Sequence, residues 1–462
     1  MPSGRSSLIR AVSLRSRILP FLVLMTISAV VPTSVFAIDR NEARFRRLLL
    51  GRHDNARLAA MRSIPPDFQS RVTTLPIVIE SLKTLSVDSR FQRAAKQGLP
   101  DLPDGVRVMI SFIGTVDRPQ ATEALVELLS CGRASWNMAT IQTLCKHQHH
   151  TAIEDIVALM DSEFFEDSYG FRFTLARGLK EMKHPDAWEA LAKLAGRVDG
   201  QLAYRLDQAF QTITPEDFGE DETRFKAWRE SVGLMPTKGA PEKDALAEAK
   251  AALNQDGQTE MPLPKRMGLQ PAKSAASYAR ERRLTPSHYY GINIYAKRLL
   301  FVIDRSGSMK DVVGGQTRIQ RAKRELITAI NGLDEQSEFG ILVFDSDVRT
   351  WKDELVPATD SNKRNAIRFV DYLTAGSTTN TYAALRRALE FDEQLEAIFM
   401  LTDGQPTTGL IVNPSAILLD ILRRNETHNV TLNTIAIAVE PLMKTFLRNL
   451  AEPSDGEFRE VN

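Results

Sequence analysis

The chain has 462 residues, a length that predicts two or three folded domains rather than one compact core. An apolar content of 43% and a charged content of 25% are typical of globular proteins, which excludes a largely disordered chain. Only two cysteines are present, Cys131 and Cys145, and this excludes a disulfide-dense scaffold. Their spacing leaves open whether they pair.

Residues 1–37 have the features of a secretory signal peptide. Four arginines and no acidic residue come first, an apolar run follows at 18–31, and the segment closes with small residues ending at Ala37. This order predicts cleavage after Ala37 and a secreted or periplasmic protein. An uncleaved anchor is the alternative because residues 18–37 nearly suffice to cross a bilayer, but two prolines favour cleavage. Cleavage lowers the formal net charge from +1 to −3, which gives no indication of a nucleic-acid surface.

Residues 38–234 have a helical pattern in which one apolar segment recurs. The copies are EALVELL (123–129), EDIVALM (154–160) and EALAKLA (189–195), offset by 31 and 35 residues. These offsets are near the period of helical-hairpin repeats, whose neighbours must stack to bury a shared core. The region resembles HEAT-type repeats in period and pattern, which predicts an α-solenoid. An irregular helical bundle is the alternative, and residues 214–233 are predicted to form a terminal cap.

Residues 235–285 are predicted to be a flexible linker. Five prolines surround a stretch rich in Ala, Glu and Lys, and the segment has low hydrophobicity. We therefore expect the two halves of the chain to be flexibly joined.

Residues 286–462 have the pattern of a doubly wound α/β domain. Four short apolar runs predict strands: RLLFVI (298–303), FGILVF (339–344), AIFML (397–401) and TIAIAV (434–439). Amphipathic helical stretches lie between them, and this alternation predicts a parallel sheet covered on both faces. The aromatic segment HYYGINIY (288–295) is expected to add an edge strand or to pack against the sheet.

Two acidic residues lie at the carboxyl ends of predicted strands. Asp304 follows RLLFVI, and Asp403 follows AIFMLT. These ends meet at one crevice of a doubly wound sheet, so the two carboxylates should converge. They repel each other unless a cation lies between them, and Ser306 and Ser308 add hydroxyl oxygens. Hard oxygen ligands favour Mg²⁺ or Mn²⁺ over zinc.

These residues resemble the metal-ion-dependent adhesion site of the von Willebrand factor type A domain. That site has an Asp-x-Ser-x-Ser loop, a distant Thr, and a later Asp followed by Gly. The matching residues are Asp304, Ser306, Ser308, Thr379 and Asp403. The resemblance covers about residues 296–462. It implies hydroxyl ligands that bind the metal directly and carboxylates that act directly or through water. One coordination position is then left for an acidic side chain of a protein partner.

The threonine ligand has an alternative. The family usually has two glycines before this threonine, whereas here Ser377 and Thr378 intervene. Thr379 is favoured because Asn380 follows it, as the family motif requires, and Thr378 is the fallback.

Three functions are compatible with these features. The leading one is a non-enzymatic exported binding protein, with the helical repeats as a second docking surface. A hydrolase using Asp304 or a serine as nucleophile is disfavoured because a serine needs a nearby base. Apart from His288, the second half offers only His428, at the amino end of a strand. The third function is a structural subunit of an envelope assembly, in which a metal only stabilises the fold.

Two weaker motifs carry alternative chemistry. The segment CKHQHH places four zinc-binding residue types together: Cys145, His147, His149 and His150. It falls at a predicted helix end, where histidines cap carbonyl groups, so zinc is disfavoured. Asn425 and Asn429 match the glycosylation acceptor pattern, which has meaning only in a host that glycosylates secreted chains.

Overall fold

The computed structural model describes residues 40–91, 102–213 and 287–461. The predicted signal peptide, terminal cap and linker lie outside these residues. The chain divides into two units, Met1–Arg44 and Phe45–Asn462, and the second unit contains both the helical region and the α/β domain.

The described part of the first half is helical. Its α-helices are α1 (Arg40–Leu50), α2 (Asp54–Arg62), α3 (Phe68–Ser86), α4 (Asp104–Gly114), α5 (Pro119–Leu128), α6 (Ala134–Lys146), α7 (Ile153–Ala158), α8 (Glu163–Asp167), α9 (Tyr169–Glu181), α10 (Pro185–Ala195) and α11 (Gly200–Ile213). The residues at the starts of several helices favour helix initiation. Pro119 and Pro185 lie in the first turns of α5 and α10, and the Ser168 hydroxyl caps α9 by accepting the Phe171 N–H. Among the described helices, none combines the length and the hydropathy that a membrane span requires.

These helices pack in two layers. One layer contains α2, α4, α6, α9 and α11, and the other contains α3, α5, α7 and α10. The recurring segments at 123–129, 154–160 and 189–195 fall mainly on α5, α7 and α10, all in the second layer. Their apolar residues join one continuous core, as stacking of repeats requires. The helical architecture is therefore confirmed, while the assignment to HEAT repeats stays a prediction.

The second half has the predicted α/β architecture. Its strands are β1 (His288–Tyr289), β2 (Ile292–Asn293), β3 (Arg298–Asp304), β4 (Val312–Val313), β5 (Gln316–Thr317), β6 (Glu338–Phe344), β7 (Val348–Thr350), β8 (Val356–Pro357), β9 (Ala397–Thr402), β10 (Thr431–Ile437) and β11 (Phe458–Val461). Its helices are α12 (Arg318–Gly332), α13 (Asp360–Asp371), α14 (Thr381–Leu389), α15 (Pro414–His428) and α16 (Pro441–Ala451).

The main sheet has the order β11-β10-β9-β3-β6-β7, with β8 also paired to β6. The strands from β11 to β6 are parallel, and β7 and β8 run antiparallel to β6. β3 pairs with β6 on one side and with β9 on the other. The chain therefore reverses its direction around the sheet between β3 and β9, and a crevice opens beyond their carboxyl ends.

The main sheet is covered on both faces. Helices α12 and α13 contribute to the core on one face, and α14, α15 and α16 contribute to the core on the other. The aromatic segment at 288–295 forms a separate β1–β2 hairpin. Tyr289 of this hairpin is buried, with its ring centroid 5.3 Å from that of Phe301 and 6.4 Å from that of Phe399. The segment thus packs against the sheet, which is one of the two predicted outcomes.

The helical half contacts the α/β half at the end of α15. The backbone of Gly170 in α9 approaches that of Thr427 and His428, and an added Cβ would lie 2.1 Å from the Thr427 carbonyl oxygen. Asn429 Nδ2 donates to the Gly170 carbonyl oxygen at 3.2 Å and to Thr174 Oγ1 at 3.1 Å. This helix contact therefore requires a residue without a side chain at position 170.

A second group of contacts lies at the amino ends of the strands. Glu396, immediately before β9, is buried and accepts the N–H of Gln201 at 2.7 Å and that of Lys297 at 3.2 Å. Tyr204 stacks on Tyr295 with ring centroids 3.6 Å apart. Further polar pairs join the halves: Arg172 with Gln394, Arg205 with Asp455, and Asp104 with Arg423. The sequence predicts only that the two halves are flexibly joined, and it does not predict these contacts.

Candidate metal centre

The parallel register brings the two predicted carboxylates together. Asp304 is the last residue of β3, Asp403 directly follows β9, and Ile303 lies beside Leu401 in the adjacent strand. Both acidic side chains are buried. The crevice at the reversal point of the sheet is therefore lined by two carboxylates, as the sequence predicts.

Asp304 is held at both of its oxygens. Its Oδ1 accepts the Ser306 N–H at 2.7 Å, and its Oδ2 accepts the Thr402 hydroxyl at 2.6 Å. Burial, together with the nearby charge of Asp403, raises the pKa of Asp304 to about 7. Both effects penalise the ionised carboxylate, and a cation in the crevice would relieve both.

The two serine hydroxyls lie beside Asp403. Ser308 Oγ donates to Asp403 Oδ1 at 2.8 Å, and Ser306 Oγ lies 3.4 Å from the same oxygen. The two hydroxyl oxygens are 3.1 Å apart. This arrangement gathers three neutral or anionic oxygen atoms at one point, the kind of ligand set that Mg²⁺ and Mn²⁺ prefer.

Thr379 lies in the same crevice. An ideal Cβ at Gly404 would be 3.4 Å from Ser308 Oγ and 3.9 Å from Thr379 Oγ1, so both hydroxyls flank the residue after Asp403. Thr379 is buried, whereas Thr378 is exposed. The geometry therefore favours Thr379 over the fallback.

Backbone hydrogen bonds fix the loop that carries Thr379. The Gly307 N–H donates to the Ser377 carbonyl oxygen at 2.7 Å, and the Gly376 N–H donates to the Arg305 carbonyl oxygen at 2.5 Å. On its other side, the Thr379 N–H donates to Thr407 Oγ1 at 2.8 Å. The Asp-x-Ser-x-Ser loop and the threonine loop are thus connected directly.

Two arginines form ion pairs at or beside this centre that the sequence does not predict. Arg318, the first residue of α12, donates from Nη1 to Asp403 Oδ2 at 2.8 Å and lies 3.5 Å from Asp311 Oδ2. Arg305, the variable residue after Asp304, donates to Asp345 Oδ2 at 2.7 Å. An arginine at the start of an amphipathic helix has no spacing signal that links it to a strand end. Only the folded chain reveals these contacts.

The oxygen donors fit a hard divalent cation. Buried carboxylates from two strands and hydroxyls from two loops converge, and no sulfur or imidazole ligand lies among these donors. Across the part of the chain that the structure describes, no cluster of three or more His, Cys, Asp or Glu side chains is placed to hold a metal. The centre therefore depends on its hydroxyl groups.

The histidine-rich segment has a structural role. His149 contacts Thr122 Oγ1 through Nδ1 at 2.7 Å and the Gly114 carbonyl oxygen through Nε2 at 3.0 Å. The ring of His150 lies against that of His184, with centroids 4.8 Å apart. Cys145 is buried and is not joined to Cys131 by a disulfide. The structure gives no support to zinc binding here.

Both predicted glycosylation asparagines are buried. The Asn425 side chain donates to the Val430 carbonyl oxygen and accepts the Val430 N–H, at 2.8 and 2.9 Å. Asn429 adopts the left-handed conformation that ends α15, and its amide contacts the helical half. Neither amide is accessible to a glycosyl donor in the folded chain, so the motif matches do not mark usable sites.

Comparison with known proteins supports the assignment of the second half. Residues 299–405 match the family model described as the von Willebrand factor type A domain. The chain contains a von Willebrand factor type A domain. The matched residues run from β3 to just beyond β9 and include both carboxylates of the centre.

Curated relatives match only part of this chain. Inter alpha-trypsin inhibitor, heavy chain 4, of Mus musculus is 31% identical over 133 residues, which are 26% of this chain and 14% of that protein. Human von Willebrand factor A domain-containing protein 3A is 29% identical over 168 residues, which are 36% of this chain and 13% of that protein. The similarity therefore covers a small part of each relative.

Solved structures also match part of this chain. A von Willebrand factor type A protein from Catenulispora acidiphila is 20% identical with a TM-score of 0.32, covering 37% of this chain and 40% of that one. Proximal thread matrix protein 1 from the mussel byssus, described with a zinc-occupied metal-ion-dependent adhesion site, is 16% identical with a TM-score of 0.28. That match covers 36% of this chain and 43% of that one.

Proposed function

We propose that this protein is an exported, non-enzymatic binding protein that captures an acidic group of a protein partner through Mg²⁺ or Mn²⁺. The metal ligands are Asp304, Ser306, Ser308, Thr379 and Asp403. The observation that supports this proposal is the convergence of two buried carboxylates with serine and threonine hydroxyls at one crevice of the sheet.

The proposed ligands are of two kinds, neutral hydroxyls and charged carboxylates. The hydroxyls of Ser306, Ser308 and Thr379 supply neutral oxygens, while Asp304 and Asp403 supply charge. A cation held there would supply an electrophilic position open to a carboxylate of the partner. The hydrogen bonds of Asp304 with Ser306 and Thr402 hold its two oxygens in place at the crevice.

The placement of His428 argues against the hydrolase alternative. His428 ends α15 and precedes β10, so it lies at the amino edge of the sheet, whereas the serines lie beyond the carboxyl edge. Burial lowers the pKa of its imidazole, and its backbone packs against Gly170. A serine nucleophile needs a base within hydrogen-bonding distance, and His428 does not provide one.

Among the described residues, the contacts between the halves lie away from the crevice. Glu396 accepts the Gln201 N–H of α11 and Lys297 pairs with Asp199 just before that helix, and these two residues precede β9 and β3 at the edge opposite Asp304. We propose that the helical half is a second docking surface, held rigidly at a distance from the metal centre. Both halves can then contact one extended partner.

The matched pair Thr379→Ala and Thr378→Ala tests the metal proposal. Titration of the full chain with Mn²⁺, followed by electron paramagnetic resonance, should show one site in the wild type. Loss of the buried hydroxyl in Thr379→Ala should weaken binding on the order of tenfold, whereas Thr378→Ala should bind like the wild type. Equal affinities for the two variants, or absence of binding at millimolar Mn²⁺ in the wild type, would contradict the proposal.

Partner binding, measured together with thermal unfolding, distinguishes this proposal from the structural-subunit alternative. If the metal serves only the fold, Thr379→Ala and a chelator should lower the melting temperature, and a partner should still bind the folded variant. For a binding protein, affinity for acidic ligands should disappear with the metal while the chain stays folded. Calorimetry with and without a chelator measures the first effect directly.

A further inference from the structure

Arg318 gives the metal centre a charge that its ligand set alone does not have. Its side chain is 15% exposed, and its Nη1 donates to Oδ2 of the fully buried Asp403 carboxylate. The other oxygen of Asp403, Oδ1, accepts the Ser308 hydroxyl. Asp403 therefore presents one oxygen to the hydroxyl cluster and the other to a permanent cation, because a guanidinium stays protonated.

The charges at the centre can be counted from these contacts. With both carboxylates ionised around a cation, Asp304 and Asp403 contribute two negative charges and Arg318 contributes one positive charge, which leaves a single negative charge on the protein groups. Arg305 and Asp345 form a pair with no net contribution. Asp311, the other acidic contact of Arg318, is 63% exposed, so solvent screens it.

This count determines how a bound divalent cation behaves. With two carboxylates alone, a divalent cation would be neutralised and would attract a further carboxylate only weakly. With the guanidinium included, the occupied centre keeps one net positive charge, which attracts an anionic ligand. The same positive charge repels the cation itself and lowers its affinity for the centre.

We propose that Arg318 makes the metal centre selective for an acidic partner. Its positive charge lowers the affinity of the centre for the metal and raises the affinity of the metal-bound centre for an anion. This inference rests on the proposed function. Neutralisation of Arg318 should have two opposite effects, because tighter metal binding and weaker carboxylate capture come from the same lost charge. A merely structural role for Arg318 would weaken both.

The test compares Arg318→Gln and Arg318→Lys in the full chain. Glutamine keeps an amide donor and removes the charge, whereas lysine keeps the charge and changes the donor geometry. Mn²⁺ affinity is measured by electron paramagnetic resonance. Capture of the peptide Gly-Asp-Gly, acetylated and amidated at its ends, by the Mn²⁺-loaded protein is measured by water-proton relaxation, with Gly-Asn-Gly blocked in the same way as the uncharged control. Circular dichroism checks that each variant is folded.

We expect Arg318→Gln to bind Mn²⁺ about 10- to 100-fold more tightly and to bind Gly-Asp-Gly at least about tenfold more weakly than the wild type. Arg318→Lys should stay within about threefold of the wild type in both measurements. Unchanged or weaker Mn²⁺ binding by Arg318→Gln, or unchanged peptide capture, overturns the inference and leaves the proposed function standing. Absence of Mn²⁺ binding by both the wild type and Arg318→Gln overturns both.

Discussion

Replacement of Gly170 by valine is expected to destabilise the folded chain by about 3 kcal/mol and to separate its two halves. Even a single Cβ at this position would lie 2.1 Å from the Thr427 carbonyl oxygen and 2.7 Å from that of His428. Backbone atoms cannot move aside as a flexible side chain can, so α9 and α15 must move apart. The hydrogen bonds from Asn429 to Gly170 and Thr174 would be lost with that movement.

Gly196→Ala is a control for the addition of a Cβ to a glycine. Gly196 follows α10, and an added Cβ there meets only the Lys193 carbonyl oxygen at an ordinary 3.6 Å. Urea unfolding should therefore show near wild-type stability for Gly196→Ala and a clear loss for Gly170→Val. Limited proteolysis should cut Gly170→Val into two stable pieces faster than the wild type. Equal stability of the two variants would show that the contact between α9 and α15 does not exist in solution.

The stability of the interface between the halves is expected to fall as the pH rises above about 5. Burial raises the pKa of Glu396 to about 7 from its ordinary value of 4.5. Between these values, the folded state holds a proton that the unfolded state has lost, so each rise in pH favours unfolding. The full shift corresponds to about 3 kcal/mol, present below pH 4.5 and lost as the pH passes 7.

The surroundings of Glu396 explain why its charge is only partly compensated. Its Oε2 accepts two backbone N–H groups, from Gln201 and Lys297, and Arg172 lies near enough to favour the ionised form. Asp199 acts in the opposite direction, and its own carboxylate is paired with the Lys297 ammonium. Burial outweighs the favourable contacts, which gives the raised pKa.

Glu396→Gln should remove most of this pH dependence. Glutamine keeps an oxygen that can accept both N–H groups and has no proton to lose. Urea unfolding at pH 5 and at pH 8 should show a smaller difference in unfolding free energy for the variant than for the wild type. Glu354→Gln, an exposed change in the loop between β7 and β8, should behave like the wild type, since its side chain is in solvent. The contribution of Asp304, which also has a raised pKa, is common to all three proteins.

Much of the α/β half was predictable because its signals are local. Four apolar runs predicted the four central strands, and the amphipathic stretches between them predicted helices such as α12. The acidic residues at the ends of β3 and β9 then followed from the geometry of a parallel sheet. The proximity of the five expected ligands followed for the same reason, since each is next to a strand end or in a short motif. Their role as metal ligands stays a prediction.

The remaining features depend on contacts between distant residues. Arg318 reaches Asp403 across 85 positions of sequence, and Gln201 reaches Glu396 across 195. No periodicity or motif records such pairs. The two glycosylation motifs show the converse case, a sequence signal without an accessible site. Both asparagines match the acceptor motif, but tertiary packing buries their amides. Local sequence pattern thus predicts helices and strands and where they end. Tertiary contacts decide which side chains are accessible and which charges lie at the site.

Anomalous scattering from a Mn²⁺-soaked crystal of the full chain tests the metal centre most directly. One strong peak should lie within bonding distance of the Ser306 and Ser308 hydroxyls, beside Asp403 and Thr379, with Asp304 at its inner side. A peak elsewhere, or no peak in this crevice at millimolar Mn²⁺, would contradict the assignment of these residues as metal ligands and the binding function proposed from them.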